Sequence, residues 1–144
     1  MKHVAEPAMK ALTVEASIGN LCEVIDFVSA ELESAHCPPK LRDQIHLAVE
    51  EIFVNIANYA YTPANGNATI SIAVEKEAVI QFEDTGKPYN PLEHPPPDLD
   101  KPLMEREIGG LGVFFVKKIM DQVDYMRIDN KNVLAISKKL NPPH

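Results

Sequence analysis

Cysteine is scarce in this 144-residue chain, tryptophan is absent, and aromatic residues make up only 6% of the sequence. The only cysteines are Cys22 and Cys37. No C-x-x-C pair or histidine at ligand spacing accompanies them, which argues against a zinc site and for reduced thiols in a cytoplasm. Positive charge is also short: 14 Lys and Arg stand against 21 Asp and Glu, a formal net charge of −7. Broad nucleic-acid binding needs a basic face and is therefore not expected. No apolar run reaches about 18 residues, so no transmembrane helix is expected. Met1 to Lys10 lacks a basic stretch followed by an apolar one, which predicts no signal peptide. Neither a G-x-x-x-x-G-K-[ST] loop nor a G-x-G-x-x-G fingerprint is present.

What remains is one domain, residues 1–144, long enough for a hydrophobic core. Alternation from Lys10 to Ala16 predicts an edge strand. Asn20 is placed to cap a helix running to about His36, with Val24, Val28 and Leu32 on its apolar stripe. Pro38-Pro39 breaks that pattern and starts a second helix, Lys40 to about Ala60. Pro63, Asn65 and Gly66 mark a turn. Thr69–Glu75 and Ala78–Glu83 then read as an antiparallel strand pair. Gly110 to about Met120 is helical, and Phe114-Phe115 is expected in the core. A closing hairpin, Val123–Ile128 and Val133–Leu140, is expected around Asp129-Asn130-Lys131-Asn132.

Between Gly86 and about Ile108 lie six prolines and little periodic hydrophobicity. A loop this long between two chemical motifs reads as a lid, at about residues 87–108, rather than a linker. The order is β-α-α-β-β-lid-α-β-β. The expected fold is an α/β two-layer sandwich, one mixed sheet with helices on one face.

Three separated segments carry the chemistry. Glu51 and Asn55 are one helical turn apart and share a face, with Asn58 close to the same stripe. Asn55 offers a neutral amide oxygen, a hard ligand suited to Mg²⁺, and Mg²⁺ takes few protein ligands besides substrate phosphates. Glu51 is placed to accept a proton from an attacking hydroxyl or water. The bland alternative is the polar face of an amphipathic helix. Asp84 follows an apolar strand, and a carboxylate there needs donors. The exocyclic amine of adenine is one such donor, and Gly86 would let the base approach the backbone. Asp84-Thr85-Gly86 is also a plain turn. Gly109, Gly110, Leu111 and Gly112 open a helix, where free backbone N–H groups bind phosphate. The alternative there is a simple helix cap. Arg106 or Lys101 in the lid is a candidate phosphate contact, and the alternative for either is a solvated side chain. His46 sits between apolar residues of the second helix and reads as structural.

In this order and spacing the segments resemble the histidine kinase-like (GHKL) ATPase superfamily, whose nucleotide domain is the Bergerat fold. Nearest within it are the bacterial anti-sigma factor serine/threonine kinases. The resemblance spans roughly Leu12 to Leu140. The stretch Glu50-Glu51-Ile52-Phe53-Val54-Asn55-Ile56-Ala57-Asn58-Tyr59-Ala60-Tyr61 is similar to the family's S-E-A-x-x-N-A-x-x-H-x-Y box. Asp84 and Gly86 match D-x-G-x-P-[FY], and Gly110 and Gly112 match R-E-G-G-L-G. The resemblance implies ATP and Mg²⁺ as cofactors, Glu51 as general base and Asn55 as magnesium ligand. It implies nucleotide contacts from Asn58, Asp84, Gly86, Arg106, Gly109, Gly110, Leu111 and Gly112.

It further implies a cytoplasmic kinase that phosphorylates a serine on an anti-sigma factor antagonist and sequesters a sigma factor. A homodimer is left open. Glu50 stands where the family often has serine, Tyr59 where it often has histidine, and Arg106 lies upstream of the usual arginine. These departures motivate an alternative, a nucleotide-binding partner-switch module without kinase activity. The catalytic part of a histidine kinase system is a further alternative, although no helix pair carrying a phospho-acceptor histidine is read.

Overall fold

Side-chain alternation builds the sheet and aims one face of it at the helices. In the computed structural model, residues 9–61, 64–93 and 110–140 are described. Strands β1 (Lys10–Glu15), β2 (Asn67–Val74), β3 (Glu77–Asp84), β4 (Gln122–Ile128) and β5 (Lys131–Lys139) form a sheet in the order β1-β2-β3-β5-β4. Ala68, Ile70 and Ile72 of β2 are buried, as are Ala78, Ile80 and Phe82 of β3 and Leu134 and Ile136 of β5. These residues repeat with period two, so they share one face.

That face meets α1 (Leu21–Ser34), α2 (Pro39–Tyr59) and α3 (Gly110–Ile119). α1 contributes Val24, Val28 and Leu32, spaced one turn apart. α2 contributes Ile45, Ala48, Val49, Ile52 and Phe53, and α3 contributes Val116. All belong to one hydrophobic cluster with the sheet residues. Burying each large side chain contributes about 1.5–3 kcal/mol, which makes this two-layer interface the main stabilising element. Among the described residues no helix is long and apolar enough to cross a membrane. Cys22 and Cys37 are free thiols.

The expected element order and the α/β sandwich are present, with four local corrections. First, every strand pairing is antiparallel, so the sheet is not mixed. β4 runs parallel to β3, but β5 is inserted between them by the hairpin and opposes both. Second, Asn20 stands at the N-cap of α1 without a side-chain cap bond. Its amide instead donates to Glu15 O at 2.9 Å, because a short 3₁₀ turn, Ile18–Asn20, precedes the helix. Third, Phe115 is exposed rather than in the core, since Val116 occupies the inward face of α3. Fourth, the β4–β5 turn is only Asp129-Asn130, with φ of 51° and 64°. Positive φ at both positions is the geometry of a two-residue I′ hairpin, which Asp and Asn tolerate. Asn132 therefore belongs to β5, not to the turn. Pro63 lies outside the described residues.

The α1–α2 connection closes with a Schellman-type motif. Cys37 N–H donates to Leu32 O and His36 N–H to Glu33 O, both at 3.0 Å. His36 takes φ of 55° at the position where glycine is the usual residue. His46 has the structural role expected of it, pairing with Ser29 Oγ across the two helices at 2.7 Å. A left-handed non-glycine residue costs about 1 kcal/mol. His36→Gly is therefore expected to stabilise the fold by about 0.5–1 kcal/mol, read as a higher midpoint in urea unfolding.

Candidate functional site

The alternation that fills the core also places polar groups at one end of it. Val14, Ala68, Asp84, Asn132 and Arg127 pair in register and form a single row across all five strands on the helix-facing side. Asp84 and Asn132, each 6% exposed, occupy its centre. A buried carboxylate is costly unless donors meet it. Here Asp84 Oδ1 accepts from Gly86 N–H and from Asn132 Nδ2, both at 2.9 Å. The first is an Asx-turn, which reverses the chain as it leaves β3. Among the described residues both bonds fall on Oδ1, so Oδ2 remains to accept from a ligand.

Residues 85–89 are held from several sides. Arg127 Nη1 donates to Gly86 O at 2.9 Å. Tyr61 accepts from Thr85 N–H at 2.8 Å and donates to Asn67 O at 2.6 Å. Lys87 N–H donates to Ala60 O, the end of α2, at 3.1 Å. Gly86 is required here by packing: a Cβ at this position would lie 2.2 Å from Ala60 O and 2.7 Å from Ala60 C. The close approach expected of Gly86 is thus made to the protein's own backbone.

A cleft lies between α2, α3 and this end of the sheet. Its walls are mostly apolar, with Ile52, Phe82 and Leu134 at the base. Tyr59 and Tyr89 stack across one side, ring centroids 6.2 Å apart at 26°. Asn55 and Asp84 are polar groups in the lining. Asn55 is 8% exposed, and no hydrogen bond of its side chain falls among the described residues. Apolar walls with a few convergent polar groups are the chemistry that a heteroaromatic base requires.

The sequence-based site residues distribute unevenly. Asn55 and Asp84 come together in the cleft, and Val116 brings α3 to the same wall. Glu51, one turn before Asn55, is half-buried and outside the lining. Burial pushes its carboxyl above the usual carboxylate range, and the neighbouring Glu50 charge adds to the shift. Asn58 is half-buried and also outside the lining. Gly110, Leu111 and Gly112 form the first turn of α3. Arg106, Lys101 and Gly109 lie outside the described residues, as do positions 94–108 of the expected lid. Asn132, Arg127, Tyr61 and Tyr125 were not foreseen as site residues. The available signal for Asn132 was register: with a two-residue turn, it alternates with Leu134 and Ile136 onto the core face.

The sequence matches the histidine kinase-like ATPase domain over residues 14–138. The chain belongs to that family. A domain of this type binds ATP. Among curated relatives, the chain is 27% identical over 106 residues to the serine/threonine-protein kinase BtrW of Bordetella bronchiseptica, covering 72% of this chain and 74% of that one. It is 29% identical over 102 residues to the serine-protein kinase RsbW of Halalkalibacterium halodurans, covering 68% of this chain and 62% of the relative. Among solved structures, the RsbU and RsbW domains of Rv1364c from Mycobacterium tuberculosis superpose with a TM-score of 0.66 at 14% identity. That match covers 96% of this chain and 34% of the other. The Acinetobacter baumannii histidine kinase AdeS gives 0.51 at 16% identity, covering 96% and 70%. At these identities the structural likeness concerns the fold.

The Gly86 packing yields a direct expectation. Gly86→Ala forces the Asx-turn away from α2 and is expected to cost about 1–3 kcal/mol, measured as a fall in thermal midpoint of the nucleotide-free protein.

Proposed function

We propose that the chain is an ATP-dependent serine/threonine protein kinase that acts as an anti-sigma regulatory factor. It would phosphorylate a serine on an anti-sigma factor antagonist and, by a separate surface, sequester a sigma factor. The observation that carries this reading is the convergence of Asp84 and Asn55 on one apolar cleft in a chain whose curated relatives are named protein kinases.

In this reading Asp84 accepts a hydrogen bond from the exocyclic amine of adenine, which guanine lacks at that position. Tyr59 and Tyr89 flank the base. Backbone N–H groups of Gly109 to Gly112 hold phosphate at the start of α3, and Arg106 and Asn58 add polar contacts. The buried Asn55 amide has no hydrogen-bond partner among the described residues and is a suitable hard donor, so it fits Mg²⁺. When bound, the ion would neutralise phosphate charge. Glu51 accepts the serine hydroxyl proton as that oxygen bonds to the γ-phosphorus and the bond to ADP breaks. The site demands little covalent chemistry of the protein, only positioning and charge.

A second reading, nucleotide binding for partner switching without phosphoryl transfer, is favoured by Glu51 lying outside the cleft lining and by Tyr59 stacking on Tyr89. Transfer of phosphate from ATP to a cognate antagonist separates the two. The kinase reading expects Glu51→Ala to lower the transfer rate about 10²–10⁴-fold while ATP affinity stays near wild type. Its pH profile follows from the raised carboxyl. Glu51 must be ionised to act, so activity is lost as pH falls through a value above the usual carboxylate range. Normal transfer by Asn55→Ala, or none by wild type with ATP bound, argues against it.

A further inference from the structure

We propose that Asn132 is the positioning residue that holds Asp84 as a hydrogen-bond acceptor and joins it rigidly to residues 87–89. This rests on Asp84 reading the base, as proposed above. The argument begins with the Asn132 amide, which uses its full capacity of two donors and two acceptor sites. Nδ2 donates to Asp84 Oδ1 and to Lys87 O, both at 2.9 Å. Oδ1 accepts from Tyr125 O–H at 2.5 Å and from Tyr89 N–H at 3.4 Å.

The orientation of the amide is forced. Turned over, its oxygen would face a carboxylate and a carbonyl, and its NH₂ would face the Tyr89 N–H. Together with Gly86 N–H, this presents two donors to Asp84 Oδ1. The plane of the carboxyl group is thereby set. Oδ2, which takes no bond among the described residues, is the oxygen left to accept from a ligand in the cleft that Asp84 lines. The same amide grips Lys87 O and Tyr89 N–H, so the base-reading carboxylate and the residues beneath the Tyr59–Tyr89 stack move as one unit. The ionisable neighbours on the flanking strands are Asp84 on β3 and Tyr125 and Arg127 on β4.

An isosteric substitution tests this. In Asn132→Asp a second carboxyl stands where the amide donated to Asp84. Two adjacent carboxyls hold one proton between them. With that proton in place, the new group donates as Asn132 does. Once it is lost, two anions repel and Oδ2 is displaced. ATP titration by calorimetry on the intact chain, from about pH 5.5 to about pH 8.5, reads the difference. Relative to wild type, Asn132→Asp is expected to lose at least about tenfold in affinity between the acid and alkaline ends. Asn132→Ala is expected to be weaker by about tenfold throughout, without that added pH dependence. Tyr125→Phe removes one support of the amide and is expected to weaken binding by about threefold.

Thermal melts of each nucleotide-free variant at each pH separate unfolding from lost binding. Parallel profiles for wild type and Asn132→Asp overturn the proposal. If Asn132→Asp does not fold, an unchanged affinity in Tyr125→Phe overturns it instead. A wild type that takes up no adenine nucleotide overturns the reading of the site itself, and this proposal with it.

Discussion

A carboxylate on the core face of a sheet must find donors, and much of this site is the set of donors that Asp84 finds. Its neighbours on that face, Phe82 and Ile80, are buried hydrocarbon. An unsatisfied carboxylate among them would cost several kcal/mol. The structure meets the demand with one backbone amide, in a turn that Gly86 makes possible, and one side-chain amide from the adjacent strand. Both act on the same oxygen. A carboxylate satisfied on one side only is a preorganised acceptor on the other.

The constraint spreads outward from there. Gly86 must lack a side chain because the turn lies on the last carbonyl of the α2 region, Ala60 O. That contact fixes the end of the helix that also carries Glu51 and Asn55. The end of β3 is thus held at a set distance from Glu51 and Asn55, with α2 as a rigid spacer of about 1.5 Å per residue. Arg127 and Tyr61 secure the turn from two other elements. The proposed reading of adenine at Asp84 and of magnesium at Asn55 depends on this bracing more than on either residue alone.

Much of this was legible in the sequence. Period-two and period-3.6 patterns identified the elements in order, because each buries a single face. Asp84 and Gly86 stood out at the end of an apolar strand, and Asn55 because it shares a helix face with Glu51 one turn earlier. Asn132 did not, because Asp129-Asn130-Lys131-Asn132 is polar throughout and reads as a turn. Only the left-handed backbone at Asp129 and Asn130 shortens that turn to two residues and rotates Asn132 inward. The antiparallel sheet was illegible for a related reason: local patterns identify strands but not which strand a hairpin slips between. Gly86 was noticed for close approach, and the structure shows one such approach, to Ala60. Phe115 misled because hydrophobicity alone does not choose a helix face.

The most direct measurement is calorimetric titration of ATP, ADP and GTP into wild type and Asp84→Asn, with and without Mg²⁺. Binding of ATP and ADP but not GTP, lost in Asp84→Asn, is expected if Oδ2 of Asp84 reads the adenine amine. Equal affinity for ATP and GTP, or an Asp84→Asn protein that binds ATP as wild type does, would show that this carboxylate braces the turn and reads no base.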